Sequence, residues 1–239
     1  MTIQLRPLSA RSVVLSLLLG AHPAELSAAA LVRAGELFDV GETTLRATLS
    51  RMVAAGDLMR DGSTYGLSDR LLARQRRQDA ALHADPTAWD ETWELVVITS
   101  SGRSAQDRAE LRSTLSALRL AELREGVWLR PANLARPLPS WPDGLISTLR
   151  ATPDDDSAAL ARRLWDVDGW ASHGRDLLDG LANAGSARDR LAVSAAVVRH
   201  LLLDPVLPAE LLPAGWPSDR LRDSYARYSA DLIEQTLRA

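Results

Sequence analysis

Thr43-Thr44-Leu45-Arg46-Ala47-Thr48-Leu49-Ser50-Arg51 brings two guanidinium groups, four hydroxyls and a small alanine into one short run. A guanidinium can bond a guanine edge bidentately or neutralise a phosphate. Threonine and serine hydroxyls reach phosphate oxygens, and a small alanine lets backbones approach closely. The spacing predicts a helix from about Thr43 to Ala55, with Leu45, Leu49, Met52 and Val53 on its buried face and Gly56 as its stop. Thr43, Thr44, Arg46, Ala47, Ser50 and Arg51 are then left facing outward. Arg60, Ser63 and Tyr65 follow in a β-rich stretch suited to backbone or minor-groove contact. These nine residues are the candidate DNA-contacting set. The competing account is a solvated amphipathic helix in any helical domain.

Other chemistry is sparse. With no cysteine in the chain, disulfides, thiolate zinc sites, iron–sulfur clusters and cysteine nucleophiles are excluded. No GxSxG elbow, Walker loop or GxGxxG fingerprint occurs, so no catalytic residue, metal site or cofactor is expected. His200 and Asp204 are four apart, and His173 lies near Asp176, but two residues do not make a metal site; helix-end contacts account for them. Asp154-Asp155-Asp156 reads as a solvated helix N-terminus. The seven tryptophans are expected mostly in cores, with a ligand pocket as the alternative.

The elements that must carry these residues fall into three stretches. Residues 1–86 read as helices and a hairpin. The apolar run Val13–Ala21, preceded by Arg6 and Arg11, imitates a secretory signal but is too short for a membrane span. It is expected to be a buried first helix with Ser9 as N-cap and Gly20 at its end, which implies a cytoplasmic protein. Ser27 caps a second helix, Asp39-Val40-Gly41 form a tight break, and a hairpin turns at Asp61-Gly62. Ser68 then caps an arginine-rich fourth helix. Residues 87–152 alternate strand, helix and strand, through Trp93–Thr99, the Leu111/Leu115/Leu118 face, Gly126–Arg130 and Leu145–Leu149, which suggests a small ferredoxin-like α/β unit. Residues 153–239 are helical, with stripes at Leu191, Ala195, Val198, Leu202 and at Leu221, Tyr225, Tyr228, Leu232.

Composition agrees with a folded protein: 239 residues, 46% hydrophobic, 25% charged, net charge −3. All 28 basic residues are arginine. The first 80 residues hold 10 arginines against 8 carboxylates and the remainder 18 against 23, so any nucleic acid should meet the N-terminal third.

Several blocks resemble the PaaX-type transcriptional repressors of aromatic-acid catabolism. They are Leu31 to Leu58, with Val40, Arg46, Leu49, Arg51, Gly56 and Leu58 in place; Trp89-Asp90-Glu91-Thr92-Trp93; Gly126-Val127-Trp128-Leu129-Arg130-Pro131; and Arg199–Pro205, Leu207-Pro208, Glu210–Pro213 and Gly215-Trp216-Pro217. Their order covers nearly the whole chain. Asp39 stands where the family commonly has glycine, and Gly41 where a serine-like cap is usual. The resemblance implies an N-terminal winged helix-turn-helix, a central domain like the small CRISPR-associated ferredoxin-like nucleases, and a homodimeric repressor binding operator DNA. It further implies release by an aryl-coenzyme A thioester. Such a ligand needs arginine beside tryptophan or aliphatic walls, and Trp128 with Arg130 are the candidate effector-binding residues. Two alternatives remain: a metal-dependent nuclease, for which the strand end Val97-Ile98-Thr99-Ser100 lacks a carboxylate, and a winged-helix scaffold that contacts protein.

Overall fold

The computed structural model describes residues 8–84 and 86–238. Arg6, which flanks the first apolar run, lies outside them. The protein is mixed α+β, with helices around two small antiparallel sheets. By contacts the chain divides into two compact units, one running through His83 and joined by Ser172–Asp204 and Pro217 onward, the other comprising Ala84–Ala171 and Pro205–Trp216.

The first unit begins with α1 (Ala10–Gly20), whose N-cap Ser9 accepts from the Ser12 N–H. Val13, Val14, Leu15, Leu17, Leu18 and Leu19 are all buried, so the helix is apolar nearly all round because it is wrapped by protein. Its last carbonyls are satisfied from outside. The buried Gln75 carboxamide donates to Leu19 O at 3.1 Å and Ala21 O at 2.9 Å. Next come β1 (Glu25–Ser27), α2 (Ala28–Glu36), α3 (Glu42–Ala54), β2 (Leu58–Asp61), β3 (Thr64–Leu67) and α4 (Asp69–Leu82). The strand order β1-β3-β2 puts β3 in the middle, with Tyr65 opposite both Leu26 and Arg60. The hairpin pairs Asp61 with Thr64, so Gly62 and Ser63 form its loop, one residue beyond the turn expected from Asp61-Gly62. Gly62 has a φ of +55°, open to glycine at little cost. Two late helices, α8 (Ala187–Leu201) and α9 (Ser218–Arg238), close this core: Leu191 is part of it, and Tyr228 and Leu232 pack against it.

The second unit holds β4 (Trp93–Ile98), α5 (Ala105–Ala117), β5 (Ala121–Arg124), β6 (Val127–Pro131) and β7 (Ile146–Ala151), ordered β5-β6-β4-β7 with every neighbour antiparallel. A capping box of Ser104 and Asp107 starts α5. Alternation splits the central strands between two cores. Val96 and its cross-strand partner Trp128 face Leu111 and Leu115 of α5. Trp93 and Leu129 face Leu160 and Ala161 of α6 (Ser157–Leu164), with Val167, Leu207 and Leu211. Covering on both faces is why β4 reads as a continuous apolar run. The helix α7 (Val167–Ala182) runs from this unit into the first. Among the described residues no helix is long and apolar enough to cross a membrane.

Candidate nucleic-acid interface

The segment between α2 and α3 sets the direction of the candidate helix. Val40 N–H bonds to Gly35 O and Asp39 N–H to Glu36 O, the paired closure of a Schellman motif. Asp39 takes the left-handed position with a φ of +57°, so the aspartate adopts the conformation glycine would supply. Gly35 permits the close approach of α2 and α3: a Cβ there would lie 2.8 Å from Leu45 Cδ1 and 3.2 Å from Val40 O. Gly41 precedes α3 without a side-chain cap, so the first-turn N–H groups are left without a capping side chain.

On α3, Leu45, Thr48, Leu49 and Met52 are buried. Thr43, Thr44, Arg46, Ala47, Ser50 and Arg51 are all exposed, as their spacing predicts. Local partners occupy several of them. Arg46 Nε donates to Glu42 Oε1 at 2.7 Å, Ser50 Oγ to Arg46 O at 3.1 Å, and Arg51 to Ala47 O and Thr48 Oγ1. The last turn of α3 is tied down beyond Gly56, where the buried Asp57 carboxylate receives Arg11 from α1 at 2.7 Å and also Arg70 from α4. On the hairpin, Arg60 and Ser63 are exposed. Arg60 donates to Gly62 O at 2.9 Å and stands over the Tyr65 ring, 5.7 Å from its centroid. Tyr65 itself is not a surface residue. It is 7% exposed and belongs to the helical core, because it points inward from the central strand of a three-stranded sheet.

The candidate effector-binding residues Trp128 and Arg130 both lie inside the second unit. Trp128 is buried against α5 and Arg130 is 0% exposed. The Arg130 guanidinium donates to Asn133 Oδ1 at 2.8 Å and to the carbonyls of Pro131 at 3.0 Å, Val206 at 3.0 Å and Pro205 at 3.3 Å. Asn133 Nδ2 also donates to Val206 O, and Val206 holds a φ of +50°, unusual for a β-branched residue. Arg130 is thus a staple that fixes the Pro205-Val206 turn to the central sheet. Sequence patterns miss this because arginine is so rarely fully buried.

Asp204 pairs with Arg222 at 2.5 Å, and His200 lies edge-on to His173 at 5.0 Å, both within the helical core of the first unit. Among the described residues no group of three or more histidines or carboxylates is placed to hold a metal ion.

Residues 9–71 match the model of the PaaX-like proteins, and residues 86–140 match that of the PaaX central Cas2-like domain. The chain belongs to the PaaX-like family. The PaaX-like match spans α1 to the start of α4, and hence all of the candidate interface, while the central match begins ahead of β4 and includes β6. Membership points to a transcriptional regulator and to DNA as its partner. A solved structure, the uncharacterized protein Rv0674 from Mycobacterium tuberculosis, is similar over nearly the entire length: 48% identity, TM-score 0.83, covering 95% of this chain and 97% of that one. No curated protein matches the chain.

Proposed function

We propose that this PaaX-like protein is a sequence-specific DNA-binding repressor whose α3 enters the major groove. One observation carries the reading: six candidate contact residues form the exposed face of a helix whose other face is locked into a core. The element order α1-β1-α2-α3-β2-β3 and the β1-β3-β2 sheet support a winged helix-turn-helix reading, in which β2 and β3 are the wing. Arg60, Ser63 and the exposed Met59 would then meet the backbone beside the groove. The strand order β5-β6-β4-β7 supports a ferredoxin-like reading of the second unit, although the stretch between β6 and β7 has no crossover helix.

A single winged module buries too little surface for useful specificity, so the functional species is a homodimer on half-sites about one helical turn apart or a multiple of it. A small acyl or aryl coenzyme A thioester releases it by binding better to a dimer whose recognition helices no longer match one face of the duplex. Complete reversal of occupancy requires about 5.5 kcal/mol of differential binding. The reading is tested by Arg46→Ala and Arg51→Ala in operator-binding assays with thermal melts as controls. A base-reading arginine costs about 1–3 kcal/mol and relaxes specificity at one position, whereas a phosphate-binding one reduces the salt slope by about one. Full affinity in both variants removes α3 from the interface.

A further inference from the structure

Four of the 28 arginines fall within the stretch from Arg70 to Arg77, with no carboxylate between them. Arg70, Arg74 and Arg77 follow steps of four and three and so share one side of α4, with Arg76 nearby. All four are exposed. The helix buries Leu71, Gln75, Gln78 and Ala81 and packs on α1 and α8. Its two aspartates stand towards the ends: Asp69 in the first turn, and Asp79, whose carboxylate lies 3.2 Å from the His22 ring. Like charges one turn apart repel, so a helix shaped for stability alone intersperses carboxylates. α9 does so, with Asp219, Asp223, Asp231 and Glu234 among its four arginines. In α4 the repulsion is left standing, and Arg74, Arg76 and Arg77 have no hydrogen-bond or ion-pair partner among the described residues. Such a face suits an anionic partner.

The start of α4 is fixed beside the end of α3. Ser68 N–H donates to Asp57 O at 3.0 Å, and the Asp57 carboxylate receives both Arg70 and Arg11. Those two side chains remain 68% and 53% exposed, so two cations share one buried carboxylate and leave net positive charge at the surface. Arg51, in the last turn of α3, carries the same sign. Positive charge thus continues from the C-terminal end of α3 along α4.

We propose that Arg70, Arg74 and Arg77 form a second contact surface, which holds the phosphate backbone of DNA flanking the segment that α3 enters. Spacing favours this partner as well as sign. Arg70 and Arg77 lie about 10 Å apart along the helix axis. Over that length one strand of a duplex presents about three phosphates. Guanidinium groups bond phosphate without reading bases, so this surface adds affinity and orientation, not sequence preference. The inference rests on the repressor reading above and extends it: the protein covers more duplex than the bases it specifies.

The test is fluorescence anisotropy with the full chain and labelled duplexes. A site recovered from a random pool is centred in duplexes about two and about four helical turns long, and a scrambled long duplex is the non-specific probe. Wild type should bind the longer specific duplex at least about fivefold more tightly than the short one at low salt. The double variant Arg74→Ala, Arg77→Ala should lose that gain and keep the preference for the selected site over the scrambled one. Its slope of log affinity against log salt should fall by about one for each phosphate contact removed. Arg74→Lys with Arg77→Lys keeps the charge without the planar fork and should restore most of the slope, which a merely structural role would not do. Both positions are exposed and alanine favours helix, so the melting temperature should hold. An alanine variant with the length dependence and salt slope of wild type overturns the proposal and leaves the α3 reading standing. Equal binding of both lengths by wild type does the same. If wild type selects no site yet binds the scrambled duplex through Arg74 and Arg77, the surface is upheld and the repressor reading falls. No binding of any duplex overturns both.

Discussion

Arg46 and Glu42 form an exposed ion pair one turn apart on α3, and a phosphate must compete with that carboxylate. Such pairs add only about 0.3–0.5 kcal/mol to helix stability, so Glu42→Ala should leave the fold nearly untouched. It should, however, tighten DNA binding about two- to fivefold at low salt, by freeing Arg46 and removing a like charge facing the backbone. Fluorescence anisotropy with labelled duplex would show this; unchanged affinity would mean that no phosphate approaches Glu42. Arg130 behaves oppositely. Arg130→Ala strips several backbone carbonyls and Asn133 of their donor, a loss of about 3–5 kcal/mol expected when one member of a buried charged network is removed. Denaturant melts should record it, and a melting curve equal to wild type would refute the staple. The outward residues of α3 were legible from helical spacing alone. Tyr65 and Arg130 were not, because their burial depends on which strand is central and on a turn some seventy residues away.

The turn between α2 and α3 combines a strained residue with an obligatory small one. Asp39 in the left-handed region should yield about 1 kcal/mol of stability on replacement by glycine, which bears that φ without a Cβ clash. Gly35→Ala should cost about 1–3 kcal/mol, since the new methyl meets the fully buried Leu45. Chemical denaturation of both variants checks the pair, and a stabilised Gly35→Ala would contradict the close approach. The elements with strong local signals were readable: the α1 and α2 caps from Ser9 and Ser27, α3 from its apolar face, β4 from its unbroken run. β1 and β5 were not, being three and four residues long and defined by the strands they pair with rather than by their own pattern. The hairpin turn was misplaced by one residue because register depends on cross-strand pairing, which no dipeptide records.

Closure of the N-terminal core by Leu191, Tyr228 and Leu232 ties the ends of the chain into one unit, and nothing in local periodicity announces it. A stripe of leucines and tyrosines shows that a helix is buried on one side without saying against what. This closure places the last helices beside the candidate DNA-binding elements, so changes on α9 can reach α3 through α1 and α2. The functional assembly is expected to be a homodimer; light scattering at micromolar concentration should give twice the 26.0 kDa chain mass. A monomer that still binds one half-site tightly would contradict the two-fold account. The claim on which all else depends is that the exposed face of α3 reads DNA sequence. Selection of duplexes from a random pool by the full-length protein, repeated with Arg46→Ala and Arg51→Ala, tests it directly. Wild type should enrich a two-fold-related site, and the variants should lose that enrichment or relax it at defined positions. No enriched sequence with wild type, or the same site recovered at equal strength by both variants, would contradict it.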